Sequence, residues 1–204
     1  MRSDRTAALL LIALLWGGCR GEDPGASAAP PERFAGVKKA AARVAESFCE
    51  RSYPATGANS RRYVPAALRP LPGGETTPAP QKGWTWLNLW ATWCVPCVEE
   101  MALLRRWRDG FAREGLSVKF ELLSIDDAKE EKALTAWRAR QLPGAIHWIR
   151  SEDDLPPLLA SLGVGADASI PIHALIDPAG QLRCVRVGAI HEQDYGSARE
   201  LLAQ

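Results

Sequence analysis

Apolar residues run almost without interruption from Trp84 to Trp90, the pattern of a central strand buried on both faces. The chain passes from there straight into Cys94-Val95-Pro96-Cys97, and the spacing that follows predicts a helix to about Glu114. Ser117 to Ile125, with Val118, Phe120, Leu122 and Leu123 as its apolar members, predicts a second strand. Asp127 and Glu130 stand at the spacing of a capping pair and open a helix expected to reach about Gln141, completing a βαβ unit. Ile146 to Ile149 predicts a short strand and Asp154 to Leu162 a short helix. Ile172 to Ile176 and Leu182 to Val187 flank Asp177-Pro178-Ala179-Gly180, whose Pro and Gly positions suit a type I turn, and so predict a β-hairpin. Tyr195, Ala198 and Leu202 form one stripe of a terminal helix from about Glu192 to Ala203. Parallel strands first and a hairpin last predict an α/β fold, a central mixed sheet with helices on both faces.

Upstream, Phe34, Val37, Ala41, Val44, Ala45 and Phe48 fall at helical spacing, predicting an amphipathic N-terminal helix of about 18 residues that Tyr53-Pro54 ends. Residues 54 to 80 are rich in proline and glycine without periodicity and predict an extended connection over the surface. Gly21 to Pro31 has few large apolar residues and predicts a flexible tether. Arg2 and Arg5 precede an apolar run, Ala7 to Trp16, and then Gly17-Gly18-Cys19, the order of a secretion signal. That run is too short to span a bilayer comfortably. A cysteine directly after two glycines is similar to a bacterial lipoprotein signal, which would make Cys19 the lipidated mature N-terminus. The alternative, plain cleavage after Ala26-Ser27-Ala28, places Glu22 and Asp23 between the site and the apolar run. The chain thus divides into a signal (1–18), a tether (19–31), the helix and connection (32–80) and one globular domain (81–204).

Composition changes this picture little: 47% hydrophobic and 24% charged residues are ordinary for a globular domain. A net charge of +1, with no Lys/Arg cluster interleaved with aromatics, sets nucleic acid aside as a partner.

The chemistry lies in the two cysteines at the strand-to-helix junction. A sulfur at a helix N-terminus sits beside free N–H groups and the positive end of the dipole, which favours thiolate over thiol. Cys94 is therefore the candidate nucleophile, and Cys97, one turn in, the resolving thiol. Pro96 suits the first helical turn, where its missing N–H costs nothing. A zinc pair is the competing reading, but zinc wants four ligands and no second closely spaced Cys/His pair exists. With Cys19 set aside, Cys49 and Cys184 remain, an even remainder that in an oxidising compartment predicts a structural disulfide; two free thiols are the other reading.

Asn88-Leu89-Trp90-Ala91-Thr92-Trp93-Cys94-Val95-Pro96-Cys97, Glu100, Ser169-Ile170-Pro171, Ile176-Asp177-Pro178-Ala179-Gly180 and Val187-Gly188 occur in this order over about residues 81 to 204. This series resembles thioredoxin-like proteins, most closely the TlpA/ResA-like family of membrane-attached thiol-disulfide oxidoreductases. The resemblance implies a thioredoxin-like fold, in which residues 146 to 162 are the family's central insertion. It implies a protein-disulfide reductase without cofactor or bound metal, acting on exported proteins with disulfides and fed by a membrane electron donor. Cytochrome c apoproteins and copper-site proteins are the substrate classes it suggests. It also implies that Pro171 is cis and faces the cysteines, with Ile170 and Trp93 on the substrate surface. Asn88 stands where thioredoxins carry a buried acid, and an amide cannot titrate. Glu100, one turn after Cys97, matches a functional glutamate of the family and is the expected proton acceptor. Ile172 and His173 replace the small hydroxyl residues usual after the proline, and His173 is expected to be a hydrogen-bonded core residue. A thioredoxin-fold copper metallochaperone using Cys94, Cys97 and His173 is the alternative function, although such proteins space their cysteines differently.

Overall fold

A strand as apolar as Trp84–Trp90 needs cover on both faces, and the computed structural model, which describes residues 48–72 and 83–204, supplies it. In chain order the elements are β1 (Arg51–Ser52), β2 (Arg61–Arg62), β3 (Leu68–Arg69), β4 (Trp84–Trp90), α1 (Val95–Arg113), β5 (Val118–Ser124), α2 (Glu131–Trp137), β6 (Ala145–Ile149), α3 (Leu155–Leu162), β7 (Ile172–Ile176), β8 (Gln181–Val187) and α4 (Tyr195–Leu202). The sheet order is β1-β8-β7-β4-β5-β6-β3, with β2 also on β8. β4, β5 and β6 run parallel, while β7 is antiparallel to both β4 and β8. The β7–β8 turn closes with the Gly180 N–H on the Asp177 carbonyl at 2.9 Å, and the Asp177 carboxylate accepts the N–H groups of Ala179 and Gln181.

Alternation along β4 divides the core in two. Trp86 and Trp90 join Leu104, Trp107 and Phe111 of α1 and Ala198, Leu201 and Leu202 of α4 on one face. Leu87 and Leu89 join Ile172, Ala174 and Val185 and the α3 residues Leu158, Leu159 and Leu162 on the other. Trp86 is fully buried and stacks on Phe120 and Phe111, with ring centroids 5.3 and 6.2 Å apart. Where β6 begins, a Cβ on Gly144 would lie 1.9 Å from the Phe120 carbonyl oxygen, so a side chain there would push β5 and β6 apart.

Three expectations need correction. Within residues 54 to 80 the described part is more than a connection: β2 pairs with β8 and β3 with β6, and Tyr63, Ala66 and Leu68 pack on the α3 face. Strands of two residues are too short to show periodicity, and their pairing is set by the exposed sheet edges they cover. The second helix stops at Trp137, short of Gln141. There the N–H groups of Arg138, Ala139 and Arg140 bond three residues back, and the Arg140 guanidinium lies 3.9 Å over the Trp137 ring. Asp127 caps alone, its carboxylate accepting the Lys129 N–H at 3.0 Å and opening a 3₁₀ turn, Ala128–Glu130, in place of the reciprocal pair with Glu130. The signal, Cys19, the tether, the N-terminal helix up to residue 47 and residues 73–82 lie outside the described residues.

Cys49 and Cys184 are joined by a disulfide with Cα atoms 5.4 Å apart, closing a loop across 135 positions of sequence. Beside it β1 pairs with β8, and Phe48 meets Trp86 edge-on at 6.1 Å, so the bridge fixes the segment before β1 to the main core. A Cys49→Ala/Cys184→Ala double variant should lose about 2–4 kcal/mol of unfolding free energy, the usual worth of closing a long loop. Urea unfolding of both proteins without reductant measures the difference.

Candidate active site

The C-terminal end of β4 delivers the chain to the start of α1, and two backbone constraints shape the junction. The Ala91 carbonyl accepts the Cys94 N–H at 3.1 Å, closing a turn after the strand. Cys94 then caps α1 with extended backbone angles, φ −83° and ψ 100°, and its Sγ accepts the Cys97 N–H at 3.3 Å. The sulfur thus takes up one of the helix's orphan N–H groups, with Pro96 in the first turn. The structure holds the pair oxidised, Cα atoms 5.3 Å apart. Cys94 keeps 5% of its surface open and Cys97 none, so a macromolecular partner reaches only Cys94. Trp93 and Val95, 61% and 65% exposed, form an apolar rim beside it.

Opposite the sulfurs, the Ile170–Pro171 peptide bond is cis and the Ile170 carbonyl oxygen lies 3.8 Å from Cys94 Sγ. The Pro171 carbonyl accepts the Gly188 N–H at 2.8 Å. Gly188 has φ +94°, a conformation that a side chain would strain, and its turn carries the chain from β8 to Ile190.

Asp126, just beyond β5, clamps the loop before Cys94. Its buried carboxylate accepts the Thr92 N–H on both oxygens at 3.1 Å, the Thr92 hydroxyl at 2.6 Å and the Ser124 hydroxyl at 2.6 Å. Its carbonyl accepts the Trp148 indole N–H at 2.6 Å. The clamp holds Thr92 two residues ahead of Cys94, so it sets where that sulfur sits.

One helical turn after Cys97 lies a second buried carboxylate. Glu100 follows Cys97 by three residues on the same face of α1 and is 4% exposed. Oε1 accepts Asn88 Nδ2–H at 3.0 Å, and Oε2 accepts the Ile190 N–H at 3.1 Å. Oε2 also lies 3.4 Å from His173 Nε2. Nδ1 of the same imidazole receives the Trp86 indole N–H at 3.1 Å and lies 3.3 Å from Asn88 Nδ2. Asn88 and His173 face each other across the β4–β7 pairing, which is what brings amide, imidazole and carboxylate together.

The structure therefore gathers Cys94, Cys97, Glu100, Ile170, Pro171 and Trp93 around one junction, with the Cys49–Cys184 bridge elsewhere. Sequence reasoning treated His173 as core, and it is buried, but it also belongs to the Glu100 network. Asp126 was missed altogether. Its available signal was its place at the carboxyl end of a parallel strand next to the cysteine strand, where sites on open α/β sheets form.

A scan against protein-family models returns no match. Over 139 residues the chain is 25% identical to thioredoxin-like protein YneN of Bacillus subtilis, covering 66% of this chain and 75% of YneN. A Chlorobium tepidum protein provisionally assigned as thiol:disulfide interchange protein DsbE superposes with TM-score 0.54 at 18% identity, covering 71% of this chain and 95% of its own. A thioredoxin family thiol:disulfide interchange protein of Chlorobium tepidum TLS gives TM-score 0.52 at 16% identity, covering 72% and 97%. These structural likenesses show a thioredoxin fold.

Asp126→Ala removes the acceptor for Thr92 and Ser124 and should lower the unfolding free energy by about 2–3 kcal/mol, since buried donors are left unpaired. Denaturant unfolding measures the loss, and alkylation of reduced Cys94 should slow in the same variant because the loop no longer fixes the sulfur.

Proposed function

We propose that this chain, a member of the thioredoxin-like thiol-disulfide oxidoreductases, works outside the cytoplasm as a reductant of disulfides in exported proteins. The observation that carries the chemistry is the arrangement of the two sulfurs: one reachable at the helix N-cap, the other fully buried, with the buried Glu100 three residues on along the same helix. In the reduced protein the Cys94 thiolate attacks a substrate disulfide, forming a mixed disulfide and expelling one substrate thiolate. Cys97 gives its proton to Glu100, and the resulting thiolate attacks Cys94 Sγ, which breaks the mixed disulfide and releases the second substrate thiolate. Two electrons pass from the dithiol to the substrate, and the pair ends in the oxidised form. A dithiol donor must return the two electrons before the next cycle, and Cys97 recovers its proton from Glu100.

Glu100 suits the proton step because its carboxylate has about four acceptor sites and two hydrogen bonds are donated to it, with His173 Nε2 at 3.4 Å, which leaves room for a proton. The direction of electron flow rests on Val95 and Pro96, neither of which adds a donor between the cysteines of the kind that over-stabilises the thiolate in strong oxidants. The Cys49–Cys184 bridge supports an oxidising compartment, where structural disulfides persist. Arg2, Arg5, the apolar run and Cys19 support export and lipid attachment, with Gly21 to Pro31 as the tether that keeps the site near a membrane electron donor. Cytochrome c apoproteins and copper-site proteins are the substrate classes proposed. The copper-carrier alternative has less support, because both His173 nitrogens face Trp86, Asn88 and Glu100 rather than the sulfurs.

Equilibration of the Cys94/Cys97 pair with glutathione or dithiothreitol buffers should give a potential below about −200 mV, on the thioredoxin side of the scale. A potential near the about −120 mV of strong oxidants would reverse the direction. Cys97→Ala should accumulate mixed disulfides with exported partners, which mass spectrometry identifies. Glu100→Gln should slow release of the mixed disulfide by about a hundredfold at neutral pH, the scale of lost general-base assistance, with substrate binding little changed. Quenched-flow kinetics on a substrate-loaded protein reads that rate.

A further inference from the structure

Two donors converge on one nitrogen of His173, and this fixes what the ring can do. The Trp86 indole has a donor and no acceptor, and its N–H points at Nδ1 from 3.1 Å. The Asn88 amide nitrogen lies 3.3 Å from the same Nδ1 and donates to Glu100 Oε1 at 3.0 Å, so the carboxylate sets which end of the amide is nitrogen. Nδ1 is therefore the lone-pair nitrogen. The neutral ring must carry its proton on Nε2, the atom that lies 3.4 Å from Glu100 Oε2.

Resting on the oxidoreductase reading above, we infer that His173 is a positioning residue for the proton acceptor: locked by Trp86 and Asn88 as the Nε2–H tautomer, it sets Nε2 against Glu100 Oε2 in a long 3.4 Å contact outside hydrogen-bond alignment, and this polar contact keeps the carboxylate in place to take the Cys97 proton. No electron passes through the ring and it gains no proton in the step; the proton goes from the Cys97 sulfur to Glu100. Asn88 and His173 hold the carboxylate from its two ends, Asn88 on Oε1 and His173 on Oε2, with the Ile190 N–H as the donor to Oε2. The remaining nearby charge is Arg186, the cross-strand partner of His173, which is engaged by Asp194 at 3.3 Å and by the carbonyls of Phe48 and Ala189. Glu100 is thus the carboxylate that the free ring N–H faces.

Nitrogen-15 NMR of the wild-type protein, oxidised and reduced, reads the tautomer directly. The Nε2–H form is expected, and an Nδ1–H form would overturn the inference. For the rate, His173→Leu removes the polar contact with little change of bulk and should slow mixed-disulfide release severalfold. His173→Gln, which restores an amide N–H near the Nε2 position, should recover most of that loss. In a Glu100→Gln background His173→Leu should have no further effect, because the ring acts through Glu100. A Leu effect that persists undiminished in that background, or wild-type release in His173→Leu, overturns the proposal. Formation of the mixed disulfide by Cys94 is measured separately, so that a loss at that step is told apart from a loss at release. Wild-type protein that reduces no disulfide at all defeats the oxidoreductase reading and leaves the tautomer result standing. Should the Leu variant not fold, the tautomer and the Gln variant decide.

Discussion

A carboxylate buried one helical turn after the cysteine pair needs polar partners, and that requirement ties together distant parts of this protein. An unpaired buried charge is costly by several kcal/mol, so Glu100 persists at 4% exposure only because Asn88, Ile190 and His173 face its two oxygens. Those groups come from β4, from the segment after β8 and from β7, while the acid itself comes from α1. Four parts of the chain thus have one relative placement in which the group is satisfied. The β4–β7 register, the turn at Gly188 and the helix start at Cys94 all serve it.

A second carboxylate does the corresponding work in front of the sulfurs. Asp126 fixes Thr92, and through Thr92 the approach to Cys94, with four donated contacts from two residues. The two acids therefore divide the task. Asp126 takes both oxygens up with Thr92 and Ser124 and serves geometry, whereas Glu100 lies one helical turn after the buried Cys97. Between them the cysteine pair is held at a strand end with Cys94 at the surface and Cys97 fully buried.

The apolar framework explains why such groups are tolerated. Trp86 stacks on Phe120 and Phe111 and still directs its indole N–H at His173, so one side chain both fills the core and closes the polar network. The Cys49–Cys184 bridge ties the segment around Phe48 against the same aromatic cluster. A site that exchanges disulfides thus has a second, buried disulfide in its support; Cys184 is 1% exposed, which keeps it out of reach of the exchange chemistry at Cys94.

The cysteine spacing, Pro96 and the alternation of apolar runs are local properties, and they alone determined the strand-to-helix redox junction, the mixed sheet and the terminal hairpin. Glu100 was legible because a three-residue spacing on a helix places it on the Cys97 face whatever the rest of the chain does. The functions of His173 and Asp126 were not legible in this way. His173 meets Glu100 from 73 positions away and Asp126 meets Thr92 from 34, contacts that exist only once strands are paired in register. The two-residue strands β1, β2 and β3 were equally hidden, since they have no periodicity of their own and form where a sheet edge is left unpaired. Local spacing along the chain set the cysteine pair and the Glu100 face; only the tertiary structure decided which distant groups surround that carboxylate, because a polar contact depends on distance in space and not along the chain.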